Sequence, residues 1–351
     1  MVCGLALPVY QRDERHAVND SGRYKPRILL LAVGGTISMV RDPATGTSVP
    51  TLAAADLLAQ TSLAAQLETR PIDLVTQPGA GLHSADLLTL ARCIQQEAGS
   101  GVDGVVVTRG TDTMEEVAFF IDEVAPVALP LVFTGAMRPS WTAGYDGIKN
   151  LENALRVAAA VPAEYGALVT MNDEIFAAWS VYKADSGALD AFAARRGAPY
   201  GRIFADEIEL AWRPVAHQRP GKIPPSLPVA IPILTMGVAD EAALLERLPG
   251  QPIRGIVIAG IAAGSVPPVA RQHILRLAES GLTVVLCSGA ASGRTAEDSY
   301  YPGAYADLTA AGVVIEDRLT PRKARIRLMI SLGLQIPYAP FGREFVIPAL
   351  R

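Results

Sequence analysis

The sequence predicts a two-domain α/β protein in which each domain is a mostly parallel sheet with helices on both faces. Aliphatic, strand-like runs alternate with helical apolar periodicity in both halves of the chain, and such alternation is typical of parallel sheets. The length of 351 residues suits two domains better than one. Half of the residues are hydrophobic and 19% are charged, which is enough apolar material for a large core.

We expect four segments along the chain. Residues 1–25 are irregular and partly charged and are predicted to be a tail, with a few apolar residues that could dock on a partner subunit. A larger N-terminal domain is predicted at 26–215. Residues 216–227, rich in Pro and basic residues, are the predicted linker, and a C-terminal domain fills 228–351.

The predicted elements of the N-terminal domain follow from their periodicity. They are strands at 28–33, 72–75, 105–107, 131–134 and 167–170, and helices at 51–67, after an N-cap at Ser84, from Met114 and at 148–160. Asp112 and Thr113 each precede a glutamate by three residues, so each can close a capping box at the Met114 helix. Residues 38–50 lack periodicity and are predicted to be a mobile lid loop, and 197–227 is predicted to be irregular.

The C-terminal domain repeats the alternation. Its predicted strands are 229–235, 254–259, 282–287 and 312–315, and its helices lie near 240–248, 267–280, 304–311 and 320–333. Thr320 followed by Pro321 is a typical helix start, since threonine caps and proline suits the first helical position.

Two predicted strand ends in the N-terminal domain each present a threonine beside glycines. The strand at 28–33 leads into Gly34-Gly35-Thr36, and the strand at 105–107 leads into Gly110-Thr111-Asp112. Carboxyl ends of parallel strands meet at one sheet edge, where ligands bind. Glycines let backbone N–H groups approach a ligand. Hydroxyl, carboxylate and N–H groups together are what attack on a carbonyl requires.

Four short motifs and one lysine give the chain a family resemblance. They are G-G-T-I at 34–37, T-R-G-T-D-T-M-E-E at 108–116, G-A-M-R-P-S at 135–140, M-N-D at 171–173 and Lys183. In this order and approximate spacing they resemble the bacterial-type L-asparaginase family. The resemblance runs from about residue 27 to the C-terminus.

The resemblance implies a set of site residues. Thr36 would be the primary nucleophile, and Thr111, Lys183 and Asp112 would form a proton relay. An acyl-enzyme would form, release ammonia and be hydrolysed by water. The implied substrate-binding positions are Gly35, Gly79, Ala80, Gly110 and Ala136.

The residues alone leave plainer interpretations open. Thr36 could be a turn threonine, Thr111 and Asp112 a helix cap, and Lys183 a solvated lysine. Ala136 could simply pack in a turn. The family motifs favour the functional interpretation without excluding these alternatives.

The chain departs from the family pattern in four respects. Residues 38–50 have no lid tyrosine, the substrate-holding loop has Gly79 and Ala80 in place of polar side chains, and Arg109 stands where His is usual. Ala263 stands where a partner subunit commonly supplies Asn, with Glu297 and Asp298 as the nearest acidic candidates. These changes alter substrate recognition and spare the predicted catalytic residues.

Composition excludes several other functions. A net charge of −4 without a basic cluster argues against nucleic acid and anionic membranes as partners. We find no membrane span and no secretory signal, and the three cysteines lack C-x-x-C, so the cytoplasm is the expected location. The four histidines are scattered and no phosphate loop is present, so no metal, nucleotide or other cofactor is expected.

The sequence therefore predicts a cytoplasmic amidohydrolase that converts L-asparagine, or a close side-chain amide, to the carboxylate and ammonia. An amidase for a modified amino acid or another small amide is the first alternative. An ammonia-supplying subunit of an amidotransferase is the second. The resemblance implies a homodimer or homotetramer.

Overall fold

The computed structural model describes residues 25–42, 44–63, 65–74, 79–215, 217–239, 242–295 and 302–342. The predicted tail at 1–25 lies outside these ranges except for Lys25. In the N-terminal part the elements are β1 Arg27–Val33, β2 Met39–Arg41, β3 Ser48–Pro50, α1 Ala54–Ala59, β4 Glu68–Asp73, α2 Ser84–Ala98, β5 Gly104–Arg109, α3 Met114–Val124, β6 Leu131–Thr134, α4 Gly147–Ala160, β7 Ala167–Met171, β8 Glu174–Ala177, β9 Val181–Lys183, β10 Phe192–Ala194, β11 Gly201–Phe204 and β12 Glu207–Leu210. The later elements are β13 Ile233–Thr235, α5 Ala243–Glu246, β14 Ile256–Gly260, α6 Pro268–Glu279, β15 Val284–Ser288, α7 Tyr305–Ala310, β16 Val314–Glu316 and α8 Pro321–Leu334.

The N-terminal sheet has eight strands in the order β12-β11-β8-β7-β6-β5-β1-β4. Five of them, from β7 to β4 in that order, are parallel, and β8, β11 and β12 are antiparallel additions at one edge. The central strands β5 and β6 are buried along their whole length, as expected for parallel strands covered on both faces. The predicted mostly parallel sheet is confirmed.

The C-terminal sheet has four parallel strands in sequential order, β13-β14-β15-β16. Its two faces bury different cores, because side chains alternate along each strand. Val257, Val285 and Cys287 join the large core that continues from the N-terminal domain, whereas Ile256 and Ile258 belong to a separate cluster with α6. The large core therefore extends from the N-terminal domain through α8 to one face of the C-terminal sheet, and the separate cluster covers the other face.

Three predicted elements differ from the structure. The predicted lid loop at 38–50 is a hairpin of β2 and β3, whose three-residue strands are too short to show alternation. The predicted irregular stretch 197–227 contains the β11–β12 hairpin. The helix predicted at 51–67 ends at Ala59. The Thr61 hydroxyl donates to Leu58 O at 2.8 Å, and the Ser62 N–H donates to Glu152 at 2.6 Å. These two hydrogen bonds compete with the backbone hydrogen bonds that would continue the helix.

Strand and helix starts also shift. The strand predicted at 72–75 is β4, Glu68–Asp73, and α2 is capped by His83 instead of Ser84. The Asp86 carboxylate accepts the His83 N–H at 2.8 Å and satisfies that helix end. The start of α8 is confirmed, since the Thr320 hydroxyl accepts from the Lys323 N–H at 3.3 Å.

The predicted linker is packed against the N-terminal domain. His217 lies 3.3 Å from Asp122 with its side chain 1% exposed, and Arg219 pairs with the same carboxylate at 3.1 Å. The domain limits themselves stay a prediction.

Candidate active site

The two threonine turns lie side by side at the carboxyl edge of the N-terminal sheet. Strands β1 and β5 pair in parallel, with Val33 opposite Arg109, so the residues that follow each strand emerge together. Gly35 has a φ of +101°, and a Cβ placed there would lie 2.3 Å from Gly110 N. Only glycine permits this backbone approach.

The turns hold their threonines at this edge. Thr36 opens a 3₁₀ turn, which Ser38 closes by donating its hydroxyl to Gly35 O at 2.9 Å. Thr111 is 5% exposed. The predicted pair of hydroxyl residues therefore shares one sheet edge and does not lie on opposite faces.

Lys183 reaches both predicted relay partners. Its Nζ lies 2.9 Å from the Thr111 hydroxyl and 2.9 Å from Asp112 Oδ1. The Lys183 side chain is 13% exposed, whereas that of Asp112 is 69% exposed. These distances are within hydrogen-bond reach, which is the geometry that proton transfer between a hydroxyl and a carboxylate requires.

The chain reaches Lys183 by a turn and a small ribbon that follow β7. Asn172 (φ 50°) and Asp173 (φ 62°) form a left-handed turn that reverses the chain from β7 into β8. Lys183 ends β9, which pairs with β10 in a separate two-stranded ribbon.

The predicted capping boxes at α3 are also absent from the described structure. The Asp112 carboxylate accepts from Lys183, and the Thr113 hydroxyl accepts from the Arg109 guanidinium at 3.0 Å. Glu115, assigned to a capping box by the sequence, accepts the Lys183 backbone N–H at 2.7 Å. The side chains expected to cap the helix thus organise the site.

Arg109 is buried beneath both turns. Its guanidinium donates to Val33 O at 2.9 Å and to the Thr113 hydroxyl at 3.0 Å, which ties the end of β1 to the start of α3. Burial lowers the pKa of Arg109 to about 10, while Asp112 and Asp86 oppose that shift. The sequence marked this residue only as a departure from the family.

The loop with Ala136 is fixed by two polar side chains that the sequence analysis missed. Asp146 accepts the Met137 N–H at 3.0 Å, and the Asn150 amide donates to Gly135 O at 3.1 Å. Asn150 is 1% exposed in the helix α4, and an amide on a buried helix face was the available signal. Ala136 is buried, and Gly79–Gly81 forms a 3₁₀ turn.

The hairpin of β2 and β3 contacts this loop. The Ser140 hydroxyl donates to Met39 O and the Tyr145 hydroxyl to Ile37 O, each at 3.0 Å. Burial, followed by the charge of Asp146, raises the pKa of Tyr145 to about 12. Tyr145 therefore supports the Thr36 turn as a hydrogen-bond donor.

A cleft of about 810 Å³ lies beside Lys183 and Asp112. On its far side are Thr235, Ala259 and Gly289, at the carboxyl ends of the C-terminal strands. Ala263 lies in the described part of the chain, whereas Glu297 and Asp298 lie outside it. Within the described ranges no group of three or more His, Cys, Asp or Glu side chains could hold a metal ion. No helix in those ranges is long and apolar enough to cross a membrane.

Comparison with known protein families identifies this two-domain α/β protein as an amidohydrolase. The protein-family model of the asparaginase N-terminal domain matches residues 27–216. The family model of the glutaminase/asparaginase C-terminal domain matches residues 230–339. The chain belongs to the asparaginase family and is an asparaginase-type amidohydrolase.

Three relatives illustrate the similarity. A probable L-asparaginase of Deinococcus radiodurans is 34% identical and covers 91% of this chain and 97% of its own length. L-asparaginase 2 of Escherichia coli is 31% identical and covers 88% and 89%. The crystal structure of a probable cytoplasmic L-asparaginase from Campylobacter jejuni superposes with a TM-score of 0.78 at 29% identity, covering 88% of this chain and 95% of its own.

Proposed function

We propose that this protein hydrolyses L-asparagine, or a close side-chain amide, to the carboxylate and ammonia. The observation that carries the proposal is the position of Lys183 Nζ, 2.9 Å from the Thr111 hydroxyl and 2.9 Å from Asp112. The similarity to proteins named L-asparaginase supports asparagine as the first substrate to test.

The proposed roles divide the site into two parts. Thr36 attacks the amide carbon and forms an acyl-enzyme, in keeping with the family resemblance. Thr111, Lys183 and Asp112 pass the proton that the attacking hydroxyl loses and the leaving ammonia gains. Water, deprotonated through the same relay, then hydrolyses the ester. Backbone N–H groups beside Gly35 and Gly110 face the carbonyl oxygen on which charge develops.

An ammonia-release assay with asparagine, glutamine and small amides tests the proposal. We expect Thr111→Val and Lys183→Met each to lower kcat by a factor of about 10² or more, the usual contribution of a positioned proton-transfer group. Thr36→Ala removes the attacking hydroxyl itself and should lower kcat at least as much. Thr89→Val is the matched control, because Thr89 is an exposed threonine whose hydroxyl bonds only its own helix at Ala85 O. Its kcat should equal that of the unmodified protein.

Two results would reject the proposal. The first is the absence of turnover on every amide by a folded protein. The second is full activity in the Lys183→Met variant. Circular dichroism of each variant establishes that the fold is intact.

A second substrate class is favoured by Gly79 and Ala80. These residues offer no polar side chain to an α-amino or α-carboxylate group. A buried ammonium without partners costs several kcal/mol, so a modified amino acid or another amide would fit this loop better. A micromolar KM for asparagine would exclude that alternative.

We further propose a homodimer or homotetramer located in the cytoplasm. The family resemblance supports the assembly, and the Campylobacter jejuni relative is described as cytoplasmic. The mass in solution, measured by light scattering after gel filtration, tests the assembly, and a monomer would contradict it.

A further inference from the structure

Lys323 is a fully buried lysine of the C-terminal domain whose ammonium binds carbonyl oxygens of the N-terminal domain. It occupies the first turn of α8, in the C-terminal domain, and is 0% exposed. Its Nζ donates to Ala178 O at 2.7 Å and also to Val181 O. It lies over the Phe119 ring, 5.9 Å from the ring centroid. A charge this deep requires good hydrogen-bond partners, and Lys323 finds two of them in the segment leading to Lys183.

The strand pairing of that segment is limited, although Val181 is buried in the core. Strand β9 is three residues long and pairs only with β10 in a two-stranded ribbon, and a ribbon of that size is not stable by itself. Val181, which accepts from Lys323, is its first residue and Lys183 is its last. Whatever fixes the Val181 carbonyl therefore fixes the start of the lysine side chain.

The opposite end of β9 is held by an anion. Glu115, buried at the start of α3, accepts the Lys183 N–H at 2.7 Å. Arg322, beside Lys323 on α8, lies 3.8 Å from the other Glu115 oxygen. Burial lowers the pKa of Lys323 to about 8, against the raising influence of Glu115 and Glu116.

We propose that Lys323 and Glu115 are positioning residues that hold the Lys183 strand against Thr111 and Asp112. Helix α8 of the C-terminal domain thereby takes part in the N-terminal active site of the same chain. The inference rests on the relay role proposed for Lys183. A displacement of about 1 Å can lower a rate about 100-fold, so the relay depends on this support.

The test compares two buried cations on one helix. Lys323→Met removes the ammonium in question. Arg327→Met is the matched control, because Arg327 is a buried cation one turn later that pairs with Glu123 and Ala339 O, away from β9. Steady-state ammonia release gives kcat and KM, and hydrogen–deuterium exchange reports the backbone amides of 181–184.

We expect Lys323→Met to lower kcat about 10- to 100-fold with KM changed less than threefold, and to speed exchange at 181–184. Lys323→Arg should recover most of kcat. Arg327→Met should keep kcat and exchange at 181–184 near those of the unmodified protein, even where it unfolds more easily.

The inference is overturned by a kcat within twofold of the unmodified protein in Lys323→Met, or by an equal loss in Arg327→Met. Where Lys323→Met does not accumulate in folded form, Glu115→Ala removes the acceptor of the Lys183 N–H. It should lower kcat to a similar degree, and an unchanged kcat would again reject the inference. Full activity in Lys183→Met would instead show that the proposed relay is wrong.

Discussion

Replacing Gly35 by alanine tests whether close packing of the two threonine turns sets the site geometry. The new Cβ would lie 2.3 Å from Gly110 N, whereas an ordinary contact is about 3.5 Å, so the turns must separate by about 1 Å. The backbone at φ +101° is strained for alanine. Strain of about 1–3 kcal/mol and overpacking of about 1–3 kcal/mol together should lower the free energy of unfolding by about 2–6 kcal/mol.

The same displacement should impair catalysis. A shift of about 1 Å between Thr36 and Thr111 is expected to lower kcat about 100-fold. Urea unfolding measures stability and ammonia release measures kcat. Gly312→Ala is the control, since Gly312 has a φ of +86° with no heavy atom within 4 Å of the added Cβ. It should show the backbone strain alone, about 1–3 kcal/mol, with normal kcat.

The reasoning would be refuted if Gly35→Ala lost no more stability than Gly312→Ala and kept kcat within threefold of the unmodified protein. That result would mean that the two turns tolerate separation, and that their approach does not position the hydroxyl groups.

Two further changes probe the charges buried around the site. Burial raises the pKa of Asp122, but the hydrogen bond from His217 and the charge of Arg219 outweigh it and hold this pKa below its usual 3.8. The contribution of Asp122 to stability is therefore complete above about pH 5 and is lost as the pH falls through the lowered pKa, so Asp122→Asn should weaken the pH dependence of urea unfolding below about pH 5. An unchanged dependence would contradict this. Arg109→Met leaves the Thr113 hydroxyl and a strand-end carbonyl without their donor, and we expect a loss of about 2–4 kcal/mol in unfolding free energy together with a lower kcat in the ammonia assay. A variant as stable and active as the unmodified protein would show that this guanidinium does not tie the turns together.

Much of the fold is predictable because it depends on local patterns. The aliphatic runs at 28–33 in β1 and 105–107 in β5 signal strands, and the structure buries them. Apolar spacing of 3.6 residues placed the start of α3 and both ends of α4 within one residue of their observed positions. The Thr320-Pro321 start of α8 needed only two adjacent residues. These elements carry their own signal in the sequence.

The missing parts depend on contacts between distant residues. Strands β2, β3, β9 and β10 have three residues each, too few to show alternation. The capping roles assigned to Asp112 and Glu115 were chemically reasonable for a helix start. Lys183, about 70 residues away, competes for the same carboxylates, and no local pattern reports that competition.

The two halves of the site are supported by different kinds of interaction. The two threonine turns contact each other through backbone atoms at Gly35 and Gly110, where no side chain can adjust, so a change there acts on stability and geometry together. Lys183 is held by buried charges at Lys323 and Glu115, whose partners are carbonyl oxygens and a single N–H. Hydrogen bonds of this type are directional. Losing one frees its partner group to move but inserts no extra atoms into the core. Changes at Lys323 or Glu115 should therefore lower activity more than stability. Changes at the contact between Gly35 and Gly110 should lower both together. The ratio of the loss in kcat to the loss in unfolding free energy should therefore differ between variants at Gly35 and at Lys323. That difference distinguishes the two kinds of support, although both act on the same reaction.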